Sequence, residues 1–317
     1  MKIYFSLNEI RAPFYRPAVT VGNFDGMHIG HQALFKRVVQ LADGREGEKV
    51  AVTFNPHPLQ VLMPDNPPRL ISPLEQKIEL IRAAGVDNLV CIPFTREFAS
   101  ISADGFVEDI LCRIIGVEDL VVGYDYACGR GRQGDIPFLK KKGDELGFNL
   151  HVIPPVVIDG IVVSSSKIRE LIIKGEMELV ARMLGRYYQI RGTVRQGRKR
   201  GGTVLGFPTA NIAINREDLS PKRGVYVVQV LYGRRIYGGV MNIGYNPTFG
   251  DSGFGAEVHI FDFEMDIYGQ EIRVNLIKML REEITFSGPE ELAAQISRDV
   301  ADAKRILQEL DKENCLK

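Results

Sequence analysis

Short apolar runs alternate with helical patterns through the first half of the chain. Pro17 to Gly22, Lys49 to Phe54, Asn88 to Pro93, Leu120 to Gly123 and Asn149 to Ile153 read as strands. Helical patterns fill Ile29 to Ala42, Phe106 to Ile114 and Ile136 to Leu146. Ser72, Pro73 and Glu75 open one more helix, with a serine cap, proline in the first turn and glutamate three residues after the cap. Leu74, Ile78 and Ile81 form its core face. Strands alternating with helices predict a parallel sheet covered on both faces, with ligands bound beyond the carboxyl ends of its strands.

After about Gly185 the period changes. Tyr187 to Val194, Gly224 to Tyr232, Arg235 to Ile243, Ala256 to Phe263 and Gln270 to Leu280 read as strands at hairpin spacing, with glycines at the turns. They predict an antiparallel sheet or small barrel. A long amphipathic helix, Pro289 to Leu310, follows, with Leu292, Ile296, Val300 and Ile306 or Leu307 as its stripe. The expected fold class is therefore α/β followed by all-β, with domains at 1–185 and 186–317. No internal repeat or low-complexity segment interrupts them.

Composition narrows the partners. A length of 317 residues suits about two domains. Forty Lys and Arg balance forty Asp and Glu, so bulk charge points to neither nucleic acid nor membrane. The N-terminal apolar stretch is too short for a signal peptide, and no run approaches the roughly 18 apolar residues of a membrane span. Cys91, Cys112, Cys128 and Cys315 form no Cys-x-x-Cys pair, which speaks against a zinc knuckle or a disulfide framework. A reducing, cytoplasmic setting and small-molecule substrates are expected, for a monomer or weak homo-oligomer.

The first candidate chemistry lies in Val19-Thr-Val-Gly-Asn-Phe-Asp-Gly-Met-His-Ile-Gly-His31, running from a strand through a glycine-rich turn into a helix. Gly22 and Gly26 let backbone approach a ligand, and Gly30 leaves room for a nucleotide. The helix start offers free N–H groups and partial positive charge to phosphate. His28 and His31, three apart, share a face and can donate to phosphate oxygens as charge builds. A metal site, with His57 as third ligand, and plain packing are the competing readings. The glycine-rich lead-in favours phosphate.

These residues resemble the signature of the HxGH nucleotidyltransferases, whose domain is Rossmann-like. Phe24-Asp25-Gly26 is similar to their bacterial FAD synthetase branch, which adenylylates flavin mononucleotide (FMN). Phe54-Asn-Pro-His-Pro58, Gly123-Tyr-Asp-Tyr-Ala-Cys-Gly129 and Ser164-Ser-Ser-Lys-Ile-Arg169 resemble that branch's later blocks. Ser166 stands where the family has threonine, and Cys128 where it has phenylalanine. The resemblance implies that His28, His31 and Arg169 are catalytic. It implies ATP binding by Gly22, Phe24, Asp25, Gly26, Gly30, Ser164, Ser165 and Ser166, and flavin binding by Asn55, His57 and Asp125. Gly129-Arg-Gly-Arg-Gln-Gly134 also matches a dinucleotide fingerprint. It does not directly follow a strand and carries two arginines, which makes it a decoy.

The second chemistry lies in Gly201-Gly-Thr-Val-Leu-Gly-Phe-Pro-Thr-Ala-Asn211. No Lys-Ser/Thr follows Gly206, so this is not a Walker A loop. Arg198, Lys199 and Arg200 precede it without interleaved aromatics, which counts against RNA. Thr209 and Asn211 face the same way on an extended chain, and their oxygens suit Mg²⁺. Glu257 and His259 share one face of their strand, where a carboxylate can take the proton of an attacking hydroxyl.

The segment resembles the Gly-Phe-Pro-Thr-Ala-Asn signature of riboflavin kinases, which are Greek-key barrels. Asn242 to Phe249, Glu257 to Phe263, Tyr268-Gly269 and Leu280 to Phe286 resemble that family's later blocks. The resemblance implies that Glu257 is the base and that Arg281 binds flavin. Gly197, Lys199, Gly206, Pro208, Thr209 and Asn211 would bind ATP, with Thr209 and Asn211 on the metal. The combined expectation is riboflavin phosphorylation followed by adenylylation to flavin adenine dinucleotide (FAD), with ATP, riboflavin, FMN, FAD and Mg²⁺ as the small molecules. The rivals are an aminoacyl-tRNA synthetase-like protein, since His28-Ile-Gly-His31 spells that signature too, and a flavin- or RNA-binding regulatory module.

Overall fold

The computed structural model describes residues 1–195, 208–213, 217–245 and 254–315. Contacts divide the chain into two compact units, Met1–Ser165 and Ser166–Lys317.

The first unit is built on six parallel strands: β1 (Lys2–Tyr4), β2 (Ala18–Val21), β3 (Lys49–Asn55), β4 (Asn88–Pro93), β5 (Asp119–Gly123) and β6 (Asn149–Ile153), in the order β1-β4-β3-β2-β5-β6. All four residues of β2 are buried, as are Val50 to Thr53 and Asn88 to Ile92, so these strands read as unbroken apolar runs rather than alternations. Successive residues feed opposite layers. Val19, Val21, Val50, Val52, Val90, Leu120 and Val122 pack on Phe106, Val107, Leu111 and Leu139 of helices α3 (Phe106–Ile115) and α4 (Ile136–Leu146). Ala18, Ala51, Leu89 and Val121 pack on Leu34, Phe35, Val38 and Ile81 of α1 (Ile29–Asp43) and α2 (Leu74–Ala83).

Strand order reverses between β2 and β5. The chain walks outward from β2 through β3 and β4 on one side, and through β5 and β6 on the other. This is a Rossmann-like switch point, and the crevice beyond its strand ends is where such sheets take ligands. α1 begins there.

Three details depart from expectation. α2 is capped at Pro73 rather than Ser72, without a side-chain bond. The Ser72 N–H is instead donated to Asp25. The face of α2 buries Ile81 but also Gln76 and Lys77. α3 is wound as a π-helix, which its apolar pattern does not announce. β1 and the two-stranded hairpin β7 (Val157–Ile158) with β8 (Ile161–Val162) have too few residues to show a period.

In the second unit helices α5 (Ser165–Lys174) and α6 (Met177–Leu184) precede the barrel. The Lys222 N–H donates to the Ile172 carbonyl, and Lys278 pairs with Glu178 at 2.8 Å, which ties them to it. Six antiparallel strands close the barrel: β9 (Tyr188–Arg195), β10 (Ala210–Ile212), β11 (Gly224–Tyr232), β12 (Arg235–Tyr245), β13 (Phe254–Ile260) and β14 (Glu271–Arg281). β11, β12 and β13 are joined as hairpins, and β14 returns beside β11, which is a Greek key.

Helix α7 (Pro289–Cys315) runs past the expected Leu310. Val300, Ala303, Ile306, Leu307 and Leu310 lie on Val225, Val227, Val240 and Phe261 of the barrel wall. Ala303 is completely buried there. Ala303→Asp would place an unpaired carboxylate in that contact, at a cost of about 3 kcal/mol or more. The urea midpoint of the second unit's unfolding should fall; an unchanged midpoint would contradict this packing.

Candidate functional site

The turn from β2 into α1 lies at the switch point. Phe24, Gly26 and Met27 take φ of 50°, 79° and 41°. For phenylalanine and methionine this left-handed backbone costs about 1–2 kcal/mol each. Burial of both side chains holds it in place. At Gly22 a Cβ would meet the Phe24 ring at 2.7 Å. At Gly26 a Cβ would press Ile71 at 3.0 Å, in addition to the positive φ. At Gly30 it would lie 3.1 Å from the His28 ring.

His28 is the N-cap of α1. Its Nδ1 accepts the His31 N–H at 3.3 Å. The neutral ring therefore carries its proton on Nε2, as a donor. The two imidazoles stack, with centroids 3.6 Å apart and planes 18° off parallel. Phe24 meets the His31 ring edge-on. His31 Nδ1 is buried and has no hydrogen-bond partner among the described residues. Burial, then His28, then Lys77 hold the His31 ring well below the usual imidazole range, so it is uncharged at neutral pH.

Asp25 is buried, and its carboxylate accepts the N–H groups of Ile71 and Ser72 at 3.0 and 3.1 Å. Its carbonyl accepts the Ser165 hydroxyl at 2.9 Å. Asp25 is thus a brace between three segments. Ser164 precedes α5, and Ser166 and Arg169 lie on it.

The other predicted residues of the first unit follow neighbouring strand ends. Asn55 is the last residue of β3, and its carbonyl accepts the Phe94 N–H at 3.1 Å. His57 is buried and caps the short helix Pro58–Leu62 through Nδ1, while Gln60 returns the bond to its N–H. Among the described residues no three His, Cys, Asp or Glu side chains gather for a metal. Asp125 is exposed after β5, and its carbonyl accepts from Arg132 at 2.8 Å. Cys128 and Gly134 exchange backbone bonds at 3.0 Å and close that loop. Cys128 packs in the core, where burial pushes its thiol to about 11. A Cβ on Gly129 would fall 2.5 Å from the Ala103 backbone. Gly129 and Gly134 of the decoy motif serve loop closure.

Lys77 was missed from sequence. It is 7% exposed, and its Nζ donates to Asn23 O, Thr53 Oγ1 and Phe54 O at 3.2–3.3 Å. A lysine on the buried side of α2's stripe was the available signal.

In the barrel, register brings together what the chain keeps apart. Asn211 on β10 pairs with Glu257 on β13, and Glu257 pairs with Asn242 on β12. Ala256, Val258 and Ile260 are buried, whereas Glu257 and His259 are half-buried on the other face of β13. Asn211 is 3% exposed, and its Oδ1 has no partner among the described residues. His259 Nδ1 donates to Pro208 O at 2.9 Å and holds the Pro208-Thr209 segment against β13. Gly197, Lys199 and Gly206 lie outside the described residues. Arg281 is gripped through Nε and Nη2 by the carboxylate of Asp299 on α7 at 2.8–3.1 Å, and Gln295 supports that carboxylate at 2.8 Å. Its guanidinium also lies over the Phe286 ring. Asp299 sits inside the apolar stripe of α7, a position where an acidic residue announces a partner.

A model of the FAD synthetase family matches residues 13–167, and one of the riboflavin kinase family matches residues 184–307. The chain is 36% identical over 306 residues to the bifunctional riboflavin kinase/FMN adenylyltransferase of Escherichia coli K12, covering 96% of this chain and 97% of that one. The chain belongs to this family. It joins a nucleotidyltransferase in its first half to a kinase in its second, and both serve flavin cofactor synthesis. Its relative of the same name in Listeria monocytogenes is 38% identical over 92% of this chain and 93% of that one. A solved structure titled as a macrolide-efflux protein from Streptococcus pneumoniae shares the fold at a TM-score of 0.85, with 30% identity over 95% of this chain and 98% of that one. Among the described residues no helix is long and apolar enough to cross a membrane.

The Arg281–Asp299 pair makes a prediction for the kinase half. Asp299→Ala leaves a guanidinium without its fork partner, at roughly 3 kcal/mol for a largely buried pair. Riboflavin phosphorylation should become more heat-labile while FMN adenylylation keeps its temperature profile. Equal sensitivity of both activities would contradict this placement.

Proposed function

We propose that the two activities divide between the two sites as follows. In residues 186–317, riboflavin, ATP and Mg²⁺ bind, and the ribityl hydroxyl attacks the γ-phosphorus of ATP. Glu257 accepts the hydroxyl proton, and ADP leaves as FMN forms. Pro208, Thr209 and Asn211, with Gly197, Lys199 and Gly206, bind this ATP. Thr209 and Asn211 offer the hard oxygen donors that Mg²⁺ takes, and the buried Asn211 Oδ1 facing the Glu257 position supports this assignment. When bound, the ion neutralises charge on the transferred phosphoryl group. Arg281, held by Asp299 and lying over Phe286, binds the flavin.

In residues 1–185, an oxygen of the FMN phosphate attacks the α-phosphorus of a second ATP, and pyrophosphate leaves as FAD forms. The observation that carries this reading is the stacked His28–His31 pair at a helix start on the switch point, with one nitrogen presented as a donor and another buried without a partner. His28 Nε2–H donates to the phosphates as charge builds, alongside His31 and Arg169. No covalent intermediate is needed; positioning supplies the rest. Gly22, Phe24, Asp25, Gly26 and Gly30 form the turn that binds ATP, and the Asp25 carboxylate also braces it. Ser164, Ser165 and Ser166 line the ATP phosphates, and Asn55, His57 and Asp125 hold the flavin. The enzyme works in the cytoplasm on small molecules, without nucleic acid or membrane, as a monomer or weak homo-oligomer.

Two substitutions test this division. With riboflavin, ATP and Mg²⁺ supplied, His28→Ala should accumulate FMN and form no FAD. Loss of one such electrostatic donor typically costs about a hundredfold or more. Glu257→Ala should block FMN formation yet still convert supplied FMN to FAD. Chromatography of the products reads both outcomes. Loss of both activities in either folded variant would sink the assignment.

A further inference from the structure

The adenylyl-transfer site rests on a buried cation that no signature motif contains. Lys77 reaches across from α2, and its three hydrogen bonds all go to uncharged oxygens. One acceptor, Asn23 O, belongs to the phosphate turn. The other two, Thr53 Oγ1 and Phe54 O, belong to the end of β3, directly before Asn55 and His57. The ammonium thus joins the Thr53 hydroxyl, which itself donates to Asn23 O at 3.3 Å, in tying the phosphate turn to the end of β3.

A tie alone would not call for charge. Burying an ammonium among neutral acceptors is costly, and an amide or hydroxyl could bridge the same oxygens more cheaply. Burial does press the Lys77 pKa down, while Cys91 and the Asp25 carboxylate resist. That carboxylate is bonded to the backbone at Ile71 and Ser72. Polyphosphate at the start of α1 would supply the negative charge this lysine lacks as a bonded partner.

We propose that Lys77 is a positioning residue of adenylyl transfer, which clamps the Asn23 carbonyl to the end of β3 and places a buried positive charge against the phosphate turn. The proposal rests on the reading of His28 and His31 as the adenylyl-transfer centre. The ammonium holds the phosphate turn and the Asn55–His57 loop in register, so ATP and the flavin phosphate meet at a fixed separation. Its charge also disfavours a proton on His31. Among the described residues, the groups acting on His31 are His28 stacked on it, the Phe24 edge, and Lys77 from α2. Asp25 and Cys91 face Lys77 itself.

The sign of the pH effect follows. Removing a cation near an imidazole makes protonation easier, so the His31 pKa rises and the acid limb of the FMN adenylylation profile moves to higher pH. The test uses the full chain, with riboflavin phosphorylation in the same preparation as the control for folding. Lys77→Met should lower kcat for FMN adenylylation by roughly ten- to a hundredfold, in keeping with slight misplacement of reacting groups. It should shift the acid limb upward and leave riboflavin phosphorylation intact. Lys77→Arg keeps the charge but misfits the three acceptors, so it should return the limb to its original pH without restoring the rate. If Lys77→Met does not fold, Lys77→Gln, which keeps hydrogen-bond donors without charge, carries the same expected limb shift.

An unshifted acid limb in the neutral variants would overturn the electrostatic role, and an unchanged kcat would overturn the clamp. If instead His28→Ala leaves adenylylation unaffected, the parent reading fails, whatever Lys77 does.

Discussion

One hydrogen bond organises the first unit: the His28 imidazole accepting the N–H of His31 at the start of α1. It closes the helix, sets the tautomer, and stacks the two rings where strand order reverses between β2 and β5. The turn leading to it is strained, with Phe24 and Met27 both left-handed. Such backbone persists only where its surroundings over-determine it. They do so here: Asp25 grips Ile71 and Ser72, Ser165 grips Asp25, and Lys77 grips Asn23. On the proposed reading this turn takes polyphosphate, which needs donors that do not reorganise as charge moves, and the brace would supply that rigidity.

The second unit solves a related problem by different means. No helix start presents itself to phosphate among the barrel's described elements that carry the motif. Strand register instead sets Asn211 against Glu257, so oxygen donors and a carboxylate share one patch of barrel wall. Closure of the barrel removes sheet edges and fixes that register, because a slip of one residue would turn Glu257 to the other face. α7 covers the outside of the wall and reaches Arg281 through Asp299, so the helix that follows the barrel also steadies the segment after β14.

Much of this was legible in the amino-acid order. β11 coincides with its expected span, and β3, β9 and β14 differ from theirs by a residue at one or both ends, because long apolar runs and punctuating glycines are local signals. The histidine pair and the Thr209–Asn211 spacing were legible for the same reason. What escaped notice depends on tertiary structure. Gly22 lets backbone approach a ligand, and the fold adds a second demand on it that no local pattern carries, since a Cβ there would meet the Phe24 ring. Ser72 was read as a cap, yet Asp25 takes its N–H and the helix begins a residue later. Lys77 and Asp299 lie on faces that periodicity assigns to the core, and only the partners brought by the fold explain a charge there.

The central claim is that two ATP molecules are used differently, one giving its γ-phosphoryl group to riboflavin and one its adenylyl group to FMN. The most direct measurement supplies the full chain with riboflavin, Mg²⁺ and ATP labelled in turn at the α-, β- or γ-phosphorus, and follows each label into the separated flavins. The account predicts γ label in FMN and FAD, α label in FAD alone, and β label in neither. Label from the β-phosphorus in FAD would mean that ADP is transferred whole to riboflavin, and the two-site account would be wrong.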